Sequence, residues 1–318
     1  MDWPERIGRR IKLRDLHVLL AIVQSGSITK AAQQLAISQP VVSKVVADLE
    51  RVLGVRLLDR DRHGAEATIY GAALLKRGIA AFDELKQGVT EIEFLKGAAG
   101  GELRLGSSGV MAEGLLPAIL NRLRRDHPLL TIHITQAFAG PALYRELRDR
   151  NVDLIVGRMN LPIDDDLAAE VLFDDPLLVV AGSSNPLLRR RRLELRQLMD
   201  EPWILPEAGA ARTVIEETFA AYQLRLPRAN VVSSSLALHE AMLASGSLLG
   251  MWPASVLLWG ARRHFVRPLP VLLPDLPRPV GIVTLKRRMI GPLAQLFIDS
   301  AREVARSIQK DRPRKERV

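Results

Sequence analysis

The stretch Ser27–Arg62 constrains the fold of this chain more than any other. It encodes a short helix, a tight turn and a longer helix, followed by Gly54-Val-Arg-Leu-Leu-Asp-Arg60. In the longer helix Val42, Val45, Val46, Leu49 and Leu53 recur at i, i+3, i+4 and i+7 spacing and share one apolar stripe. Gln39, Ser43 and Ala47 fall on the other side, with Pro40 and Lys44 beside them. That face is small, polar and basic, and it starts at the helix N-terminus. Slim side chains, amide and hydroxyl groups for base edges and a cation for phosphate are what a helix entering a DNA major groove needs.

The flanking sequence completes a compact head. Leu13, Leu16, Leu20 and Val23 predict a first helix over Lys12–Ser25, which Gly26 ends. Ser27 or Thr29 caps the next helix, Lys30–Leu35, where Ala31 and Ala32 permit close helix approach. Ser38 caps the longer helix, and Pro40 sits in its first turn, where a missing N–H is harmless. Val55–Leu58 and Ala65–Thr68 read as a strand pair around the turn Asp61-Arg-His-Gly64. Such a hairpin forms a wing whose Arg60, Arg62 and His63 reach phosphates or the minor groove. The expected DNA contacts are therefore Gln39, Ser43 and Lys44 toward bases and nearby phosphates, with Ser27, Thr29, Ser38, Pro40, Arg60 and Arg62 positioning the backbone. Residues 1–78 hold 13 Lys/Arg against 8 Asp/Glu, and residues 302–318 hold 7 against 3, so the net charge of +9 concentrates at the two ends. A basic head fits a polyanionic partner.

At 318 residues the chain suits two or three structural units. It has no cysteine, which excludes disulfides, thiolate metal sites and cysteine nucleophiles and fits a reducing cytoplasm. The first ten residues lack the apolar core of a signal peptide, and no apolar run approaches the roughly 18 residues that span a bilayer. A soluble, cytoplasmic protein without membrane partners is expected. Enzyme motifs fail on inspection: His239-Glu-Ala-Met-Leu243 lacks the second His of a zinc-protease helix, and Asp164-Asp-Asp166 lacks the rest of a calcium loop. Gly106-Ser-Ser-Gly109 is neither a phosphate loop nor a dinucleotide fingerprint. No metal, cofactor or catalytic residue is expected.

The run Leu16–Leu20, Ser27-Ile-Thr-Lys-Ala-Ala-Gln-Gln-Leu35, Ser38-Gln-Pro-Val-Val-Ser-Lys44, Leu49-Glu50, Gly54–Arg60 and Thr68-Ile-Tyr-Gly71 resembles the winged helix-turn-helix of the LysR-type transcriptional regulators. Val41 stands where Ala is usual, and Ala67 where a Leu usually precedes Thr-x-x-Gly. The resemblance implies an α/β chain in three parts: a DNA-binding head (1–71), a linker helix and hinge (72–100), and a two-lobed effector domain like a periplasmic binding protein (101–310). Its first lobe takes about 101–160 and 269–310, its second about 161–268, and a basic tail (311–318) follows. The resemblance also implies promoter DNA with an interrupted palindrome, a homodimer or homotetramer, RNA polymerase and a small-molecule effector as partners. A two-lobed solute binder without DNA binding would explain the second half but not residues 1–71.

The residues beyond the head support this plan. Leu75, Phe82 and Val89 repeat every seven positions, with Leu85 and Ile92 as a second row, which is a coiled-coil-like seam or a helix packed on its own domain. In LysR-type proteins this segment pairs two subunits. Gly97-Ala-Ala-Gly-Gly101 reads as a flexible joint. Beyond it, strands over Leu103–Gly106, Thr131–Gln136, Asp153–Gly157, Leu177–Ala181, Trp203–Leu205 and Val280–Leu285 alternate with helices over Leu115–Arg125, Pro141–Arg150 and Arg212–Tyr222, which implies parallel sheets. Chain crossovers between lobes are expected near Gly157–Leu161 and Pro268–Pro270. Ligands in such sheets bind at the carboxyl ends of strands. Ser107 and Ser108, alone a capping turn, take on an effector role from their place in the family fold. Ala139, Gly140, Gly157, Arg158, Arg212, Thr213, Ser233, Met251 and Trp252 follow by the same logic. Arg158 is the cation for an anionic ligand or for a surface salt bridge; Gly140 stands where many aromatic-acid responders keep Thr or Ser. A narrower resemblance to regulators of sugar uptake and protocatechuate use points to a sugar or small organic acid. Arg189–Arg192 reads as a solvated loop.

Overall fold

A computed structural model of the chain describes residues 10–61, 64–97, 100–137, 140–159, 162–259 and 265–311. Arg62, His63, Ala139 and the tail 312–318 lie outside the described residues. The chain divides into two compact units, 1–89 and 90–318.

In the first unit α1 (Leu13–Ser25), α2 (Ile28–Gln34) and α3 (Gln39–Leu53) precede a hairpin of β1 (Leu58–Asp61) and β2 (Gly64–Ala67), and then α4 (Ile69–Leu95) begins. Gly26 closes α1 at φ 65°, and Ser27 caps α2 by accepting from the Lys30 N–H. The predicted stripe is the core: Val42 and Val46 are fully buried and Leu49 nearly so, against Leu19, Ile22, Ala31 and Leu57. The first wing strand begins three residues later than expected, at Leu58, and the second one residue earlier, at Gly64. The wing is tied to the helices by backbone: Ala65 N–H donates to Gly26 O (3.0 Å), and the Leu57 and Leu58 N–H groups donate to Glu50 Oε1 (2.7 and 3.3 Å). Thr68 Oγ1 donates to Arg56 O (2.8 Å) and accepts from Gly71 N–H (3.1 Å). A Cβ at Gly71 would lie 2.1 Å from the Leu57 carbonyl oxygen, so the Thr-x-x-Gly motif is a packing requirement. The head extends past the expected boundary at 71, because Leu75 joins its core and Gly78 lies against Leu16.

The second unit contains two five-stranded sheets. The first, in order β4-β3-β5-β12-β6, is built from β3 (Gly100–Ser107), β4 (Leu129–Gln136), β5 (Leu154–Arg158), β6 (Leu167–Asp174) and β12 (Pro279–Leu285). Between its strands run α5 (Gly109–Glu113), α6 (Leu115–Asp126) and α7 (Gly140–Arg148). The second sheet, in order β11-β7-β10-β8-β9, takes β7 (Leu177–Gly182), β8 (Trp203–Leu205), β9 (Ala229–Val232), β10 (Leu249–Pro253) and β11 (Val266–Pro268). Its helices are α8 (Ala210–Ala220), α9 (Leu236–Ala244) and α10 (Ala254–Trp259); α11 (Pro292–Asp311) returns to the first sheet, where Phe297 and Ala301 are fully buried.

Two expectations change here. The sheets are mixed rather than parallel: β12 runs antiparallel to β5 and β6, and β7 antiparallel to β10 and β11. A strand that ends at the crossing, such as β6 at Asp174, must oppose one that begins there, such as β12 at Pro279; the two residues are register partners. The crossovers also move. Leu167–Asp174 still belongs to the first sheet, so the chain crosses at Asp175–Pro176 rather than near Gly157–Leu161. On the way back Leu269 and Val271 still pack on the second lobe, and Leu269 N–H donates to Val179 O (2.8 Å). The return therefore falls after Pro268–Pro270.

Candidate functional site

The side chains expected to contact DNA cluster at the start of α3, with others on α2 and the wing. Ser38 is the N-cap of α3 and makes no side-chain cap bond, and Gln39, Pro40 and Lys44 are exposed immediately after it. Ser43 is half-buried beside them. Thr29 is exposed on α2, Ser27 is half-buried at its cap, and Arg60 is exposed on the wing, paired in register with Ala65. The buried stripe fixes this presentation: with Val42, Val46 and Leu49 committed inward, a rigid 3.6-residue period leaves the opposite face to solvent.

The inter-lobe candidates separate into groups. Ser107 is buried at the end of β3, where its hydroxyl donates to Val156 O (3.0 Å) and so ties β3 to β5. Ser108 is half-buried and caps α5 with no side-chain bond. Gly157 is buried, yet a Cβ there would meet nothing within 4 Å, so the end of β5 borders open space. Arg158 follows. Its Nη2 donates to the Asp175 carbonyl (3.1 Å), while its Nη1 is buried with no hydrogen-bond partner. Burial makes the guanidinium release its proton more readily than usual, against the support of Asp175. Gly140 opens α7 beside the Tyr144 ring.

The second-lobe candidates are engaged locally. Arg212 Nε donates to Glu216 (2.9 Å) and its Nη1 to Pro206 O (3.3 Å), and Thr213 Oγ1 donates to Gly209 O (3.3 Å). The Ser233 hydroxyl accepts from Ser235 N–H (3.1 Å), and its carbonyl accepts from His239 Nε2 (2.6 Å). Met251 and Trp252 are core residues, 5% and 1% exposed, on opposite faces of β10. β10 is covered on both sides, so its side chains pack inward whichever way they point. Trp252 nonetheless keeps a buried Nε1–H without an acceptor.

The residues that join the lobes carry no sequence signal beyond a charge next to apolar strands. At the first crossing the Asp175 carboxylate is buried and accepts from the N–H and the hydroxyl of Ser255 (2.9 and 2.6 Å) at the start of α10. Burial raises the pKa of this carboxyl, opposed by the Ser255 hydrogen bonds. α10 packs on α5 and α6, and Val110 touches the cores of both lobes. Arg278, on the returning segment, binds Glu217 and the Val214 carbonyl of α8.

Comparison with known proteins agrees with this architecture. A family model for the "Bacterial regulatory helix-turn-helix protein, lysR family" matches residues 13–72, and one for the "LysR substrate binding domain" matches 96–306. The HTH-type transcriptional regulator YdcI of Escherichia coli is 26% identical over 305 residues, covering 95% of this chain and 99% of that protein. GbpR of Azospirillum brasilense is 27% identical over 312 residues, covering 96% and 91%. Full-length OxyR from Pseudomonas aeruginosa shares the fold with a TM-score of 0.64 at 23% identity, covering 93% of this chain and 97% of that one. Among the described residues no helix is long and apolar enough to cross a membrane. With the winged head and the two-lobed domain each matched in order, the chain belongs to the LysR family of DNA-binding transcription regulators with an effector-binding domain.

Proposed function

We propose that Gln39, Ser43 and Lys44 read base edges and adjacent phosphates, that Ser27, Thr29, Ser38, Pro40 and Arg60 seat the head on the backbone, and that Arg158 meets an anionic group of an effector held between the lobes. The exposed first turn of α3, set against a fully buried valine stripe, carries the DNA part of this reading. The Nη1 of Arg158, buried without an acceptor beside the open space at Gly157, carries the effector part. A buried guanidinium N–H that lacks an acceptor is costly, and a carboxylate supplies a charged acceptor for it. A small organic acid or sugar acid fits better than a neutral sugar. Regulation without catalysis, in the cytoplasm, as a dimer or tetramer working with RNA polymerase, completes the proposal.

Fluorescence anisotropy with DNA from upstream of the protein's own gene tests it. Gln39→Ala is expected to cost about 1–3 kcal/mol on the specific site and to leave random DNA unaffected. Lys44→Ala is expected to weaken both and to reduce the salt slope by about one. Equal loss of specific and random binding in Gln39→Ala would refute base readout.

A further inference from the structure

We propose that Val41 is a specificity-determining residue of the DNA-reading face, its isopropyl group recognising the C5-methyl of a thymine in the major groove. The proposal rests on the reading of α3 as the base-contacting helix and adds one apolar contact to it. Neighbouring valines of α3 have opposite fates: Val42 and Val46 are fully buried, while Val41 is 40% exposed. Among the described residues of α3 it is the large apolar side chain left outside, and it takes no part in the apolar core of the head.

Its position needs no valine for the fold. The Val41 N–H donates to Ser38 O (3.0 Å), a capping bond that any residue other than proline can make. A β-branched side chain is a weaker helix former than alanine, so an exposed valine gives nothing to the helix itself. On either side stand Pro40 and, one turn on, Lys44, both exposed. The outer surface of the first two turns therefore carries an amide, a ring, an isopropyl group and a cation. N-terminal residues of a recognition helix are those that approach base edges. Among the groups the four bases display in the major groove, the apolar one is the thymine methyl. Burying that methyl against Val41 should be worth about fourfold in affinity, the equivalent of ~0.8 kcal/mol for one buried methyl-sized group.

The full chain would first select its own sites from a pool of random duplexes. The winning duplex would then be resynthesised with each thymine replaced in turn by deoxyuridine, which removes only the methyl. Wild-type protein, Val41→Ala and Gln39→Ala are compared by anisotropy, and the melting temperature of each checks folding. One position is expected at which deoxyuridine weakens the wild type about fourfold. Val41→Ala should bind the thymine duplex as weakly as the wild type binds the uracil one and show no further loss on uracil. Gln39→Ala should lose affinity yet keep the uracil penalty. A wild type indifferent to every deoxyuridine, or a Val41→Ala that retains the full penalty, overturns the assignment and leaves Val41 to a protein partner. A pool that yields no preferred sequence overturns the reading of α3 itself.

Discussion

Arg158 and Asp175 show how single residues divide the work at the crossing between the lobes. The Nη2 of Arg158 donates to the Asp175 carbonyl, and its Nη1 is left without an acceptor. An anion arriving there gains a charge-assisted hydrogen bond to a buried donor. Asp175 is the opposite case, a buried carboxylate whose oxygens are both taken by Ser255. Because burial raises its folded-state pKa above the ordinary 3.8, the folded chain retains a proton that the unfolded chain has released. Stability contributed by this group therefore falls as pH rises from about 3.8 through the folded-state value, and stays level above it. Asp175→Asn is expected to flatten that part of the melting-temperature profile relative to the parent. Asp175→Ala, which strands the Ser255 N–H and hydroxyl, is expected to cost about 1–3 kcal/mol for each unsatisfied group. A parallel pair of pH profiles for parent and Asp175→Asn would assign the slope elsewhere.

Among the elements, α4 departs most from its sequence pattern. The seven-residue repeat placed Leu75, Phe82, Leu85, Val89 and Ile92 in one pairing seam. Leu75 is 6% exposed inside the head, and Phe82 meets the His17 ring edge-on at 6.0 Å. The first part of the helix thus packs on its own domain, which the repeat alone does not distinguish from a seam. Leu85, Val89 and Ile92 remain exposed on one face, and they are the residues proposed to pair two subunits. Leu85→Asp with Val89→Asp is expected to lower the mass measured by light scattering while the melting temperature of the head holds. Leu75→Ala is expected to destabilise by about 2–5 kcal/mol through its cavity without changing the mass of the folded protein. An unchanged mass in the aspartate pair would remove this face from the interface.

For the whole molecule, binding between the lobes has to alter what the head does on DNA. A nearly complete switch between two arrangements needs roughly 5.5 kcal/mol of differential effector affinity. Few contacts supply that much, and we propose that the polar groups at the crossing, with Arg158 as the lever, supply part of it. Organic acids that raise the melting temperature of the full chain are expected to alter its DNase footprint as well. Arg158→Gln should lose both responses while keeping the footprint of the unliganded protein. A footprint response that survives Arg158→Gln would move the effector site away from this cation.

How much of this was legible from the sequence depended on how local the determining contacts are. The head is made of helices whose buried stripe, caps and turns lie within a few residues of one another, so α1, α2 and α3 and their exposed face follow from periodicity and capping. In the second unit β3, β4, β5, β7, β8 and β12 were legible for the same reason, while β6, β9, β10 and β11 were not read from the sequence. Strand partners were not legible: β12 pairs with β5 and β6 across more than a hundred residues, and no local pattern encodes which strand lies beside which or in what direction. Met251 and Trp252 sit at a strand end that the family fold assigns to a ligand, and only the second sheet's covering helices make them core. Asp175, Ser255 and Arg278 join the lobes through contacts 61 to 80 positions apart in the chain. The sequence by itself determined the reading helix, because a helix's two faces are set by its own residues. Tertiary structure alone decided where the lobes cross and that the Nη1 of Arg158 is buried without an acceptor, because burial is a property of what packs around a side chain.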